Sequence, residues 1–247
     1  MPPVFSIVTP VYNAAKTVSE TIQSIQEQTL TSWELWLVDD GSTDGSRAVI
    51  EDAAAHDARI NVISLPGQSG AAVARNAAIE AATGHYIAFL DADDLWKPHK
   101  LAVQKAALDD GAGFVFSAYD RIDEDGRLLG SVRVSMQVAY AEALKGNPIG
   151  CLTAAYDTRV YGKVLMPDMK RRQDYALWLK LLRQHGPAIG IQESLARYRV
   201  RSNSLSSNKR VAMRATWRVY RDCEQLGAIK AGWYFAHYLV NAVGKRI

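Results

Sequence analysis

The feature that most constrains this chain is a rhythm in its first part. Four short apolar runs, VFSIVTP (4–10), ELWLVDD (34–40), INVISL (60–65) and HYIAFLD (85–91), alternate with amphipathic stretches near 15–29, 44–57 and 70–82. The runs are rich in β-branched or aromatic residues and too short for helices, so they read as buried strands. Strand and helix alternating at this spacing predict a parallel α/β sheet with right-handed crossovers. The segments Ser42–Asp44 and Gln68–Gly70 predict helix starts.

After about residue 112 the rhythm changes. FVFSAY (114–119) reads as a strand, the turn DEDG (123–126) follows, and RLLGSVRV (127–134) reads as a returning hairpin arm. Residues 172–185 predict a helix, with Leu177, Leu181 and Leu182 on one side and Lys180 and Arg183 on the other. From 208 onward the pattern is helical again. Three parts are expected: an α/β half over 1–112, a second half over 113–207, and C-terminal helices over 208–247.

Charge divides along similar lines. Residues 1–98 hold 5 Lys/Arg against 13 Asp/Glu, whereas residues 99–247 hold 24 against 13. An acidic first part suits a cation, and a basic second part suits phosphates or an anionic membrane. Cys151 and Cys223 lie far apart without a CxxC motif, which predicts two reduced, buried thiols in a cytoplasmic protein. MPPVFSIVTP runs directly into a strand pattern without a charged n-region, so no secretory signal is expected.

In open parallel sheets, ligands collect at the C-terminal edges of the strands. The polar clusters of the first part sit there: Thr9–Asn13, Asp39–Ser42 and Asp91–Asp94. Three clusters at equivalent edges predict one shared site. The most informative is Asp91-Ala92-Asp93, followed by Asp94. Three carboxylates in four residues repel one another unless a cation or hydrogen-bond donors offset the charge. Hard oxygens suit Mg²⁺ or Mn²⁺, and such ions take one or two carboxylates together with substrate phosphates. A diphosphate leaving group is a natural partner for such a site.

SIVTPVYNAAKTVSETIQSIQEQT, ELWLVDDGSTDGS, GAAVARNAAIEAATGHYIAFLDADDLWKP and RRQDYALWLKLL, in this order, resemble the inverting glycosyltransferases of family 2 with the GT-A fold. The tail RYRVRSNSLSSNKRVAMRATWRVYRDCEQLG is similar to that of bacterial members that build O-antigen, colanic acid or teichuronic acid. The resemblance implies an α/β, GT-A type nucleotide-sugar-binding sheet with helices on both faces and a C-terminal helical extension. It implies transfer from a UDP-sugar to an acceptor hydroxyl, with Mn²⁺ or Mg²⁺, a lipid-linked saccharide as acceptor and no nucleic acid.

Site residues carry over position by position. Thr9, Pro10, Val11 and Tyr12 belong to the donor site, the last three lining the base. Asp39 meets the uracil ring, and Arg75 helps to fix the nucleotide. Asp91, Ala92 and Asp93 lie along the donor, with Asp93 and Asp91 as metal ligands. Asp174 falls at the catalytic base. Family members often have Glu where this chain has Gln173, and His where it has Arg201. Arg201 cannot ligate a metal, but its planar fork suits phosphate, so Arg201 and Arg199 are expected on the diphosphate.

Asp174 has support of its own. An inverting transfer needs a base to take the acceptor proton, and a carboxylate opening a helix across the cleft can do so. A sugar nucleotidyltransferase is the rival enzyme, but it would want a Gly-rich basic loop after the first strand, which Thr9–Asn13 is not. An Asp-nucleophile phosphatase would place DxD after its first strand. A non-catalytic sugar- or membrane-binding scaffold is the third reading.

AGWYFAHYLVNAV (231–243) is too short to span a bilayer, which needs about 20 apolar residues. Trp217, Tyr220, Trp233, Tyr234, Phe235 and Tyr238 cluster with a fringe of Lys and Arg. That composition fits a helix lying in the headgroup layer, and it also fits rings that pack helices onto a core. A lipid-linked acceptor favours the first, at the inner face of the cell membrane.

Overall fold

The computed structural model describes residues 3–201 and 209–244. Its first part follows the expected order: β1 (Phe5–Val11), α1 (Val18–Gln26), β2 (Trp33–Asp39), α2 (Ser46–His56), β3 (Ile60–Ser64), α3 (Ala71–Ala81) and β4 (Tyr86–Phe89). Then come β5 (Leu95–Trp96), α4 (Lys100–Asp109), β6 (Phe114–Ile122), β7 (Leu128–Val132), β8 (Gln137–Val138) and α5 (Tyr140–Ala143). A 3-10 turn at Cys151–Thr153 leads into β9 (Ala155–Asp157), α6 (Thr158–Tyr161), α7 (Gln173–His185) and β10 (Ala188–Arg199). Finally α8 (Lys209–Arg218) runs into a π-turn, Val219–Cys223, before α9 (Ala228–Gly244).

The strands form one sheet in the order β3-β2-β1-β4-β9-β6-β10-β5, with β7 paired to β6 and β8 to β10. The first four are parallel neighbours, as expected. Beyond β4 the sheet becomes mixed. β9 lies antiparallel between β4 and β6, while β6 and β10 run parallel. The hairpin of β6 and β7 forms where the DEDG turn predicts it.

Why the apolar runs are continuous follows from the two cores. Along β1, Phe5, Ile7 and Val11 pack with α1, α2 and α4, whereas Val8 packs with α3 and α7 on the other face. β4 splits the same way, with Tyr86 and Ala88 on one side and Ile87 and Phe89 on the other. A strand alternates faces with period two, so a strand covered on both faces must be apolar throughout.

The expected helix starts shift. Gly45, at φ 90°, precedes α2, and Asp44 accepts from the Ser46 amide at 3.1 Å. Gly70, at φ 97°, precedes α3, and its amide donates to Asp40 at 2.8 Å. The α2 start is thus capped by a neighbouring carboxylate, whereas Asp40 anchors the two residues before α3, and neither N-cap residue makes a side-chain cap.

The C-terminal helices pack part of their apolar surface on the core and leave part of it exposed. Ala231 and Tyr234 are buried against the core, and the Tyr220 hydroxyl donates to the Leu144 carbonyl at 2.6 Å. On the outside, Ile229, Trp233 and Val240 are exposed, Ile229 by 93%. Among the described residues no helix is long and apolar enough to cross a membrane.

Candidate active site

β1 and β2 end in register, Val11 opposite Asp39, so their following loops leave the sheet side by side. Those loops are sewn together. The Asn13 amide donates to Ser42 Oγ at 3.1 Å, and the Thr43 amide donates to Asn13 Oδ1 at 2.8 Å. The Ala14 amide reaches Ser46 Oγ at 2.8 Å, and the Ala15 amide reaches Asp44 Oδ2 at 3.0 Å. Asn13 sits at φ 48°, a left-handed conformation that Asn tolerates better than most residues. Asp40 anchors the loop before α3 by accepting from the Ser69 and Gly70 amides at 2.6 and 2.8 Å. A Cβ at Gly41 would meet Gln68 N at 2.9 Å, so glycine is required at that close approach.

Asp39 is buried and accepts from the Ser42 amide at 3.1 Å and from Arg47 Nε and Nη2 at 3.0 and 2.8 Å. Burial alone would raise its carboxyl. Hydrogen bonds from Ser42 and Arg47 outweigh that and hold it below the usual carboxylate range. Tyr12 stands exposed on the rim, Pro10 is half-buried, and Thr9 is buried with Oγ1 unpartnered among the described residues. Two expectations need correcting. The side chains of Val11 and Ala92 pack into the core with α1, so only their backbone can border a ligand.

The acidic edge divides into three roles. Asp91 pairs with Arg75. Asp93 pairs with Arg201, Nε to Oδ2 at 3.1 Å, while Arg201 Nη2 donates to Thr17 Oγ1 at 3.0 Å. Asp94 is buried and accepts from the Arg199 amide at 2.8 Å, which makes it a joint between β4 and β10. Burial first, then the charge of Asp91, pushes the Asp93 carboxyl up against the pull of Arg201. The Asp94 carboxyl is raised further, by burial and then by Asp93.

Arg199 departs from its expected role on the diphosphate. Its guanidinium is buried, donating to Asp93 O at 3.0 Å, Glu124 O at 2.9 Å and Glu20 Oε2 at 2.5 Å. It brackets the DxD loop against α1 and has no exposed fork to offer an anion. Arg199 is the last residue of β10, with its side chain turned under the loop, whereas Arg201 lies beyond the strand end.

Arg75, one turn into α3, links the two halves. It is buried, it pairs with Asp91, and its Nε and Nη1 have no partner among the described residues. Burial works against its charge, but Asp91, and more distantly Asp174, outweigh this and hold the guanidinium above its ordinary range. Asp174 sits half-buried in the first turn of α7. Asp91 pairs with Arg75 directly, and Asp174 lies near enough for its charge to act on the same guanidinium.

Several participants carried no signal in the sequence. The Cys151 thiol is pushed well above its ordinary range by burial and lies in the fields of Arg75, Asp91 and Asp174. Both cysteines are free and half-buried, against the expectation of full burial. Thr17, just before α1, donates to the Ala92 carbonyl at 2.9 Å, and Glu20, on α1, meets the edge through its pair with Arg199 of β10. Arg47 stands eight residues past Asp39, a spacing that a helix after the strand end makes natural.

This sheet, with four parallel strands at one end and their following loops sewn together, has the GT-A fold, as the solved structures below show. The chain belongs to glycosyl transferase family 2, whose model matches residues 6–196. It is 43% identical over 99% of its length, and 98% of the relative's, to TuaG of Bacillus subtilis, named as a teichuronic acid biosynthesis glycosyltransferase. It is 33% identical over 97% of its length, and 94% of the relative's, to WfgD of Escherichia coli, named UDP-Glc:alpha-D-GlcNAc-diphosphoundecaprenol beta-1,3-glucosyltransferase. Among solved structures, S. aureus TarS in complex with UDP-GlcNAc matches with TM-score 0.73 and 21% identity, over 95% of this chain and 71% of that one. The mannosyltransferase PcManGT of Pyrobaculum calidifontis, in complex with GDP-Man and Mn²⁺, matches with TM-score 0.71 and 19% identity, over 97% and 74%.

Proposed function

We propose that this glycosyltransferase moves a sugar from a UDP-linked donor to a hydroxyl of a lipid-linked saccharide, with inversion, at the inner face of the cell membrane. The observation that carries the reading is Arg75: buried, paired with Asp91, in the field of Asp174, and holding two unpartnered donors. In this reading residues 1–112 hold the donor, residues 113–207 bring the acceptor and the base, and residues 208–247 meet the membrane.

Roles follow from chemistry. Asp39, kept ionised, accepts from the imide N–H of uracil while Tyr12 and Pro10 border the ring. Thr9 Oγ1 and the backbone of Val11 and Ala92 border the nucleotide. Arg75 holds Asp91 in place from within α3 and so helps to fix the nucleotide. Asp174 takes the proton of the attacking hydroxyl, which approaches the anomeric carbon from the face opposite the diphosphate.

Asp91 and Asp93 fit a divalent cation. Their oxygens are hard, and Asp91 and Asp93 are each about one-third exposed at the strand edge, with Asp93 held by the guanidinium of Arg201. Among the described residues no three His, Cys, Asp or Glu side chains form a ready cage. The fit is therefore to an ion shared with substrate phosphates, as Mg²⁺ and Mn²⁺ commonly are. When bound, the ion would supply Lewis acidity to the departing diphosphate.

The name of WfgD supports a UDP donor and a diphosphate-lipid acceptor, and the exposed apolar residues of α9 support a membrane surface. A thermal-shift screen of nucleotide sugars with and without Mn²⁺, followed by assay of nucleotide release with a polyprenyl-diphosphate saccharide, tests the reading. A UDP-sugar is expected to stabilise the protein most, by mass action. Stabilisation without any nucleotide release would favour a binding scaffold, and release of inorganic diphosphate when UTP and a sugar 1-phosphate are supplied instead would favour a nucleotidyltransferase.

A further inference from the structure

Three arginines serve the acidic edge, and they differ in how firmly they are held. Arg75 is 6% exposed in its side chain and joined to Asp91 from within α3. Arg199 is 4% exposed and held by Glu20 and two carbonyls. Arg201 is 34% exposed, and among the described residues it meets, besides Asp93, one neutral hydroxyl, that of Thr17. Arg201 is thus the guanidinium that can leave its carboxylate at least cost.

We infer that Arg201 is a resident counter-ion of Asp93, which makes cation binding at this edge depend on the nucleotide diphosphate. The inference rests on the reading of Asp93 as a metal ligand. A cation arriving alone meets two carboxylates, Asp91 and Asp93, already matched by Arg75 and Arg201, so the edge offers it little net negative charge. A diphosphate changes the balance. It gives Arg201 a planar acceptor pair that suits the guanidinium fork, and the same oxygens then complete the cation's ligands. Arg201 moves from carboxylate to phosphate, and Asp93 turns to the cation. Arg201 is a positioning residue here, and donor and cation load together.

The test is Mn²⁺ titration of the full chain followed by electron paramagnetic resonance, with and without UDP. Nucleotide-free Arg201→Gln should bind Mn²⁺ about tenfold more tightly than wild type, the scale of one unit charge near a divalent ion under water-like screening. Arg201→Lys, which keeps the charge, should stay close to wild type. Asp93→Asn should lose the UDP-dependent Mn²⁺ site. If Arg201→Gln leaves nucleotide-free affinity unchanged while Asp93→Asn removes the site, the counter-ion role is overturned and the metal reading stands. If Gln and Lys act alike, charge is not the cause and the inference also fails. If wild type with UDP binds no Mn²⁺ beyond UDP alone, both fail.

Discussion

The donor side and the acceptor side of the cleft are built in opposite ways. On the donor side the loops after β1 and β2 hold each other through amide-to-side-chain bonds among Asn13, Ser42, Thr43, Asp44 and Ser46. Carboxylates there are held down by donors, as Asp39 and Asp44 are. Where the donor side meets the acceptor side, acids are pushed up by burial and mutual repulsion, as Asp93 and Asp94 are. The acceptor side contributes single residues at element ends: Asp174 opening α7 and Arg201 after β10. In the proposed function, the difference means that one side is preorganised to hold a nucleotide, while the meeting line keeps charge available for a group that arrives and leaves.

If that division is right, the largest effect belongs to Asp174. Asp174→Asn keeps shape and hydrogen bonding but cannot take a proton, so turnover should fall by about 10²–10⁴ with donor affinity retained. Turnover at saturating donor alongside UDP affinity checks this. Loss of affinity with turnover intact would move Asp174 to the donor side and break the comparison.

Arg75 joins the two sides, and its removal should be felt in the fold. Arg75→Met leaves Asp91 without its partner, and breaking a largely buried pair costs about 3 kcal/mol, the low end because Asp91 is one-third exposed. Denaturant unfolding measures it. The same variant should lose UDP binding.

The expected anchoring of α9 is a smaller effect. Ile229 and Trp233 are exposed, whereas Ala231 and Tyr234 hold the helix to the core. Ile229→Ser with Trp233→Ser should therefore spare the fold and weaken binding to anionic vesicles by roughly tenfold or more, from lost apolar burial. Co-sedimentation at low and high salt reads it, and the residual binding should be the salt-sensitive part. Equal sedimentation of variant and wild type would confine α9 to packing.

How much of this was legible in the sequence depends on the kind of feature. Strand runs covered on both faces announce themselves by composition, and β1 to β4 with their helices lie where the rhythm puts them. The DxD loop at the end of β4 and the helix that Asp174 opens were legible as motif and periodicity. Side-chain direction at a strand end was not, because it depends on pairing register, and so Val11 and Ala92 turned inward. Arg199 and Arg201 look equivalent in sequence. Only the return of β10 beside the DxD loop separates a buried bracket from an exposed fork. Cys151 reaches the cleft through a 3-10 turn that no periodicity marks.

The smallest expected effect tests the donor side itself. Arg47→Met removes a donor from Asp39, and since Arg47 is half-exposed the cost should stay below about 1 kcal/mol. Asp39 has a lowered folded value, so its contribution is present above the unfolded value, about 3.9, and is lost as pH falls through the folded one. The difference between wild type and Arg47→Met should accordingly close as the pH is taken below about 4 in acid-unfolding curves. A difference that persists unchanged at low pH would mean that Arg47 acts by packing alone.

The central claim is a single displacement, with the base on one side of the cleft and the diphosphate on the other. The anomeric configuration of the transferred sugar tests it most directly, read by proton NMR coupling constants in the isolated product. An α-linked donor should give a β-linked product. A product that retains the donor's configuration would contradict the account, because retention needs a second displacement that Asp174, acting as a base, does not provide.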